Sequence, residues 1–160
     1  MYKLHLDREL TKDLFDGTSK EIRDWVVNAI ANIVIVDDVI EKSEFVALRE
    51  AIELLDNREE IEILMQKLKD RKLFKIEDIS MDHELAVKVF FYLAAIAVID
   101  GNLKKSEVEL LNKCGVCLGL ADKVIRAVTN WSVKQMEINS NLNQALEESL
   151  RERNRIVENN

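Results

Sequence analysis

Apolar side chains recur every three or four residues along most of this chain, which is the period of an α-helix. The spacing predicts six helices, at residues 19–37, 44–56, 58–71, 81–100, 107–119 and 121–137. Two more are expected, a short one within residues 3–15 and one over 141–156 that keeps its spacing with its predecessor. The chain has no Pro, which argues against a loop-rich all-β fold. We therefore expect an all-α bundle of six to eight helices.

An internal repeat appears when the chain is shifted against itself by 63 residues. Residues 31–44 then align with 94–107 without gaps, with six identities in fourteen positions. The identical pairs are Ala31/Ala94, Ile33/Ile96, Asp37/Asp100, Lys42/Lys105, Ser43/Ser106 and Glu44/Glu107. Each copy reads as an apolar helix, an acidic turn and a second helix. The 160 residues are therefore expected to form one domain of two similar helical hairpins, at about 19–56 and 82–119, followed by a C-terminal helix and tail over 139–160.

The second turn, "VIDGNLKKSEVELL", and its variant "IVDDVIEKSEFVAL" resemble the acidic interhelical element of the TerB-like (tellurite resistance TerB) family. The resemblance covers about residues 18–138. It implies an all-helical domain with an acidic surface that is a candidate for metal binding, linked to tellurite and other stress resistance and to modules near membranes. The matching positions are Asp100, Gly101 and Glu107 in the second copy, and Asp37 and Glu44 in the first.

The two copies depart from the family pattern in different ways. The first has Asp38 where Gly is usual. The second has Lys104 and Lys105 in its turn, and these should partly neutralise its acidic groups. The first turn is therefore expected to be the stronger of the two acidic sites.

Two interpretations of these turns remain open. In the first, the aspartates form turns, Gly101 takes a left-handed conformation, Ser43 and Ser106 are N-caps, and Glu44 and Glu107 complement helix dipoles. That interpretation does not explain why Asp37 and Asp38 follow a helix, where its carbonyl ends disfavour negative charge. In the second, the carboxylates bind Ca²⁺ or Mg²⁺, which prefer oxygen ligands. The candidate metal ligands are Asp37, Asp38, Glu44, Asp100 and Glu107.

Two capping boxes of the form S/T-x-x-E are predicted to open helices. One pairs Thr18 with Glu21, and the other pairs Ser106 with Glu109.

Cys114 and Cys117 form a C-x-x-C pair late in a predicted helix, on the same face as Leu111. A redox pair would place its first Cys at a helix N-terminus, and a structural zinc site would need two further ligands. We expect two buried, unreactive thiols.

The sequence shows no catalytic constellation. It contains no Gly-rich phosphate loop and no HExxH or G-x-S-x-G motif. The formal charge of −7 disfavours nucleic-acid binding, and no apolar run approaches the ~20 residues of a membrane span. With two Cys and no apparent signal peptide, a cytoplasmic location is expected.

Three classes of function remain. The first is a non-enzymatic TerB-like module whose acidic turns bind a divalent cation or a protein partner. The second is a scaffolding domain without an ion. The third, ranked lowest, is a small enzyme that uses paired carboxylates.

Overall fold

The computed structural model describes residues 15–36, 48–49, 52, 55, 57–72, 75–99 and 101–159. These residues form five helices and no strand, which confirms the all-α prediction for the described part of the chain. The helices are α1 (Lys20–Ile35), α2 (Arg58–Lys69), α3 (His83–Ala97), α4 (Lys105–Cys117) and α5 (Asp122–Glu158).

Five helices are fewer than the six to eight expected, and one reason is the length of α5. The helices predicted over 121–137 and 141–156 are a single helix of 37 residues, since no Gly or Pro interrupts the segment between them. The short helix expected within 3–15 lies, except for Phe15, outside the described residues. Most of 44–56 also lies outside them, although Leu48, Arg49 and Ile52 are helical.

The start of α1 corrects the predicted capping box. The N-cap is Ser19, whose hydroxyl accepts a hydrogen bond from the Ile22 N–H at 3.3 Å. The Thr18 hydroxyl instead donates to the Phe15 carbonyl at 2.6 Å, which closes the preceding turn. Two adjacent hydroxyl residues compete for the cap, and the hydrogen bond of Thr18 to the upstream turn leaves Ser19 at the helix start.

Helix α3 lies at the centre of the bundle and packs against α1, α4 and α5. Its side chains Val89, Phe90 and Leu93 are almost completely buried. Helix α4 approaches closely at Gly115, where a Cβ atom would lie 2.8 Å from Ile125 Cγ1 and 3.2 Å from the Phe90 ring. The absence of a side chain at this position therefore allows α3, α4 and α5 to meet.

The connection into α3 is held against two helices. The Trp25 indole N–H donates to the Glu77 carbonyl at 2.7 Å, and the Ile79 N–H donates to the Cys117 carbonyl at 3.0 Å. Directly before Glu77 the Ile76 side chain is buried. The connection is thus fixed between α1 and α4 by hydrogen bonds to its backbone and by one buried apolar side chain.

The helix limits agree with the 63-residue offset of the sequence repeat. Shifted by 63, the range of α1 coincides with that of α3 to within one residue. The N-caps Ser19 and Asp82 correspond as well, and Asp82 accepts from the Leu85 N–H as Ser19 does from Ile22. The equivalence of the complete hairpins stays a prediction, because the first turn lies outside the described residues.

None of the described helices combines the length and apolar character that crossing a membrane would require.

Both cysteines are buried in α4, as predicted. Cys114 is fully enclosed, and this burial raises the pKa of its thiol to about 12. Burial is also the main cause of the raised pKa of Cys117, with a hydrogen bond to Asp78 second. The Cys117 Sγ lies 3.8 Å from the Ile76 carbonyl oxygen, to which it donates. Since the thiolate is the reactive form, both groups are poor nucleophiles.

We therefore predict slow thiol labelling of the native protein by a disulfide reagent at pH 8. Val116→Cys supplies a matched control, because Val116 lies between the two cysteines and is 66% exposed. The native thiols should react about a hundredfold more slowly than the introduced one, or slower still. A hundredfold ratio is reached when the local opening that exposes a buried thiol has a free energy of about 2.7 kcal/mol. Labelling in denaturant should be fast for all three. Comparable native rates would instead favour a redox or zinc-binding pair.

Candidate functional site

The turn between α3 and α4 contains the part of the predicted site that the structure describes. Helix α3 ends at its C-cap Val98, and α4 begins after its N-cap Lys104. The Val98 carbonyl accepts two hydrogen bonds, one from the Gly101 N–H at 3.0 Å and one from the Asn139 side-chain amide at 2.9 Å. The end of α3 is therefore tied both to its own turn and to α5.

Asn139 belongs to a buried polar pair on α5. Its side-chain oxygen accepts from the Gln135 amide at 2.9 Å, and both residues are more than 90% buried. Through this pair α5 supplies a hydrogen bond to the Val98 carbonyl at the end of α3. Without a hydrogen-bond partner that carbonyl would be costly to bury.

Gly101 takes the left-handed conformation predicted for it, with φ +83°. It lies three residues beyond the C-cap rather than directly after it. It is buried, and a Cβ atom built on it would lie 2.8 Å from the backbone Cα of Ser140. Glycine is therefore required twice here, by the backbone angle and by the close approach of α5.

Glu107 is the one predicted metal ligand that the structure describes. Its side chain is 3% exposed, and its Oε1 accepts a hydrogen bond from the Lys104 backbone N–H at 3.2 Å. This is the return bond of a capping box, in which Glu at the third helical position satisfies the N-cap amide. Glu107 thus stabilises the start of α4 while lying beside the turn.

The same bond corrects the prediction that Ser106 caps α4 and pairs with Glu109. The N-cap is Lys104, and Ser106 lies inside the helix as its second residue. Glu109 is exposed. The helix begins at Lys105, two residues before its predicted start at 107, because the Glu107 carboxylate supplies the capping interaction from within the first turn.

The other four candidate ligands, Asp37, Asp38, Glu44 and Asp100, lie outside the described residues. That these residues bind a metal ion therefore stays a prediction. Within the described ranges, no three His, Cys, Asp or Glu side chains are grouped so that they could hold a metal ion. Lys104 and Lys105 are exposed beside the second turn, where they can offset its negative charge.

A shallow groove of about 190 Å³ lies between α1 and α2. Its wall includes the carboxylates of Asp24 and Glu60, and the Lys20 ammonium bridges these two groups. The hydrogen bond to Asp24, followed by that to Glu60, raises the pKa of Lys20 to about 12. The two carboxylates and the one ammonium therefore form an ionic link between α1 and α2. Acid–base catalysis instead uses two carboxyl groups whose surroundings give them different pKa values.

The sequence reasoning missed Gln135 and Asn139. Both lie on the buried face of α5 with Ile125, Val128 and Ser132, at alternating intervals of three and four residues. The sequence does contain a signal for them: two side-chain amides stand at positions where the helical pattern predicts apolar residues. A buried amide needs a hydrogen-bond partner, so such positions indicate a buried polar contact. The partner itself, a carbonyl 41 residues away, could be identified only from the fold.

A scan of protein-family models, a search of curated proteins and a search of solved structures each found no match to this chain. The resemblance to the TerB-like family therefore stays a prediction.

Replacing Gly101 by Ala should destabilise the protein more than the same change at Gly119. Both glycines have positive φ, +83° and +74°, but a Cβ atom at Gly119 meets nothing within 4 Å. Gly119→Ala should cost about 1–2 kcal/mol through the backbone angle alone, and Gly101→Ala about 1–3 kcal/mol more through overlap with α5. Urea denaturation of both variants measures the difference. Equal losses would show that α5 does not contact the turn as described.

Asn139→Ala should cost about 1–3 kcal/mol, because it leaves the Val98 carbonyl and the Gln135 amide buried without their shared partner. Asn141→Ala is the control, since Asn141 is an exposed residue of the same helix. Thermal denaturation should show a lower Tm for the first variant, by about 2–4 °C per kcal/mol, and little change for the second. A similar Tm for both variants would contradict the anchoring role of Asn139.

Proposed function

We propose that this chain is a non-enzymatic binding module whose acidic interhelical turns bind a divalent cation, Ca²⁺ or Mg²⁺. The ligands are drawn from Asp37, Asp38 and Glu44 in the first turn and from Asp100 and Glu107 in the second. By its resemblance to the TerB-like family, the module acts in a tellurite or general stress-resistance context. The bound ion either stabilises the bundle or completes a surface for a protein partner.

The observation that carries this proposal is the burial of the Glu107 carboxylate beside an anchored turn. Burial of a carboxylate is costly unless hydrogen bonds or a cation compensate its charge. A carboxylate offers about four lone-pair positions, so the bond from Lys104 is compatible with a metal ion on the same group. The turn is also held in place by the bonds to Val98, which favours binding by reducing the cost of ordering the site.

The alternative function is a scaffolding domain without an ion. The capping bond from Lys104 to Glu107 favours it, because that bond gives this residue a structural role. The two functions differ in one measurable respect. A cation that binds only the folded state raises the free energy of unfolding, whereas capping alone makes stability independent of the ion.

The test is thermal denaturation of the metal-free protein with and without Ca²⁺, Mg²⁺, Mn²⁺ or Zn²⁺. Each ion is added at about 1 mM, which is ~100 times a Kd in the micromolar range. At a hundred times its dissociation constant a ligand adds about 2.7 kcal/mol, so the Tm should rise by roughly 5–10 °C. Asp37→Asn and Asp38→Asn should abolish most of this rise. No rise in the native protein, or one that survives both substitutions, would remove the cation site.

Glu107→Gln separates the two roles of this residue. Glutamine retains the return bond of a capping box but lacks the negative charge. The variant should therefore keep its metal-free stability and bind the cation more weakly, as measured by titration calorimetry. Glu109→Gln is the matched control, because Glu109 is exposed on the same helix. Loss of metal-free stability with unchanged cation binding would assign Glu107 to capping alone.

A further inference from the structure

Apolar packing holds only the first part of α5 against the bundle. Among the described residues, the hydrophobic core and the side chains packed against it include nothing from α5 beyond Trp131. Trp131 itself makes an edge-to-face contact with Phe91 of α3, with the ring centroids 5.2 Å apart. The helix nevertheless continues to Glu158. Its second part is therefore attached to the bundle by other means.

Beyond Trp131 the buried positions of α5 are polar. They are Ser132, Gln135 and Asn139. The Ser132 hydroxyl donates to a carbonyl of its own helix, and the Gln135 amide donates to Asn139. The Asn139 amide in turn donates to the Val98 carbonyl at the end of α3. Polar side chains thus replace apolar ones where α5 passes the α3–α4 turn.

The contact of α5 with this turn involves two adjacent residues of the helix. Asn139 bonds to Val98, and the Ser140 backbone lies so close to Gly101 that a Cβ atom there would be 2.8 Å from the Ser140 Cα. We call these two contacts the latch. A hydrogen bond adds less to stability than the burial of a large apolar side chain. The latch should therefore open more readily than the apolar attachment at Trp131.

The helix is intrinsically weak at the latch. Residues 139–143 read Asn-Ser-Asn-Leu-Asn, and Asn and Ser are poor helix formers because their side chains compete for backbone hydrogen bonds. Residues 144–155 are mostly Gln, Ala, Leu, Glu and Arg, which favour a helix, and pairs such as Arg155 with Glu152 at 3.0 Å support it. The weak segment lies where the sequence predicted the boundary between two helices.

We propose that residues 139–143 are a hinge within α5 and that the latch holds this hinge in the helical conformation. When the latch opens, the hinge leaves the helix while the core, which extends only to Trp131, stays folded. Residues 144–158 then form a helical arm whose direction is no longer fixed by the bundle.

The hinge is coupled to the candidate acidic site through the α3–α4 turn. Val98 and Gly101, which the latch contacts, flank Asp100 in the sequence. A ligand that orders the turn favours the closed latch, and by linkage a closed latch favours the ligand to the same extent. This coupling rests on the proposed cation site, whereas the hinge itself does not. A bound cation would therefore fix the direction of the arm.

Native-state hydrogen exchange of the metal-free protein tests the hinge, measured residue by residue by NMR in low concentrations of urea. After correction for intrinsic rates, amides of residues 140–146 should exchange at least about tenfold faster than those of 122–131. Their exchange should also depend less on urea, because local opening exposes less surface than global unfolding. Equal protection and equal urea dependence of the two segments would overturn the proposal, since α5 would then open only when the whole bundle unfolds.

Two alanine variants test the latch. Asn139→Ala removes the bond to Val98, so amides of residues 140–146 should exchange about 5- to 150-fold faster, the cost of losing a buried hydrogen bond. Asn141→Ala makes the same change at an exposed position, where the better helix former should slow exchange by up to about threefold. Both variants gain helix propensity, so opposite effects identify the latch. Unchanged exchange in Asn139→Ala would show simple fraying of the helix end and overturn the proposal.

The coupling is tested by adding Ca²⁺ or Mg²⁺ to the same exchange experiment. At a hundred times the dissociation constant, amides of residues 140–146 should exchange up to about a hundredfold more slowly. A rise in Tm without slower exchange at these residues would overturn the coupling. Absence of any rise in Tm would overturn the cation site and with it the coupling, whereas the hinge is decided by the metal-free protein and its alanine variants.

Discussion

The burial of α3 between α1, α4 and α5 is the contact on which the rest of the bundle depends. Complete burial of a side chain such as Phe90 or Leu93 contributes about 1.5–3 kcal/mol, and α3 buries several such side chains. The contact also requires close approach, which Gly115 permits on α4. A helix enclosed in this way has a fixed position along its axis, and so its end at Val98 is fixed too.

The position of the α3 end determines the geometry of the acidic turn that follows. Val98 is buried, and the hydrogen bond from the Asn139 side chain satisfies its carbonyl group. Gly101 then passes within van der Waals contact of the α5 backbone at Ser140. Because both contacts are with α5, the turn takes its shape from a helix that follows it in sequence. A candidate site on this turn is therefore supported by tertiary structure as well as by its own local bonds.

Local patterns predicted the helices better than their ends or their partners. Apolar spacing located the five described helices to within a few residues, because helical burial imposes that period directly. The caps were misplaced at Thr18 and Ser106, since neighbouring polar groups competed for the same backbone amides. The bond from Asn139 to Val98 joins residues 41 apart, and no local pattern encodes such a pairing.

The candidate site was predictable to a smaller extent than the fold. Sequence identified Glu107 as a residue of interest, but not the capping bond that holds it. The left-handed conformation of Gly101 was predicted, because a positive φ is a local property that favours glycine. Its contact with Ser140 was not, because it depends on where α5 passes. Helix periods and turn conformations are local, whereas the environment of a site is set by the packing of distant segments.

The buried face of α5 changes in composition along the helix. Its buried half changes from Ile125 and Val128 to Ser132, Gln135 and Asn139 as it approaches the acidic turn. Buried amides of this kind fix the register of packed helices, because a shift would leave them unsatisfied. Beyond them α5 has no buried residue, although it carries the exposed apolar side chains Leu142, Leu150, Ile156 and Val157. The amides therefore lock α5 onto the bundle at one point, and this holds the exposed apolar half in a defined direction.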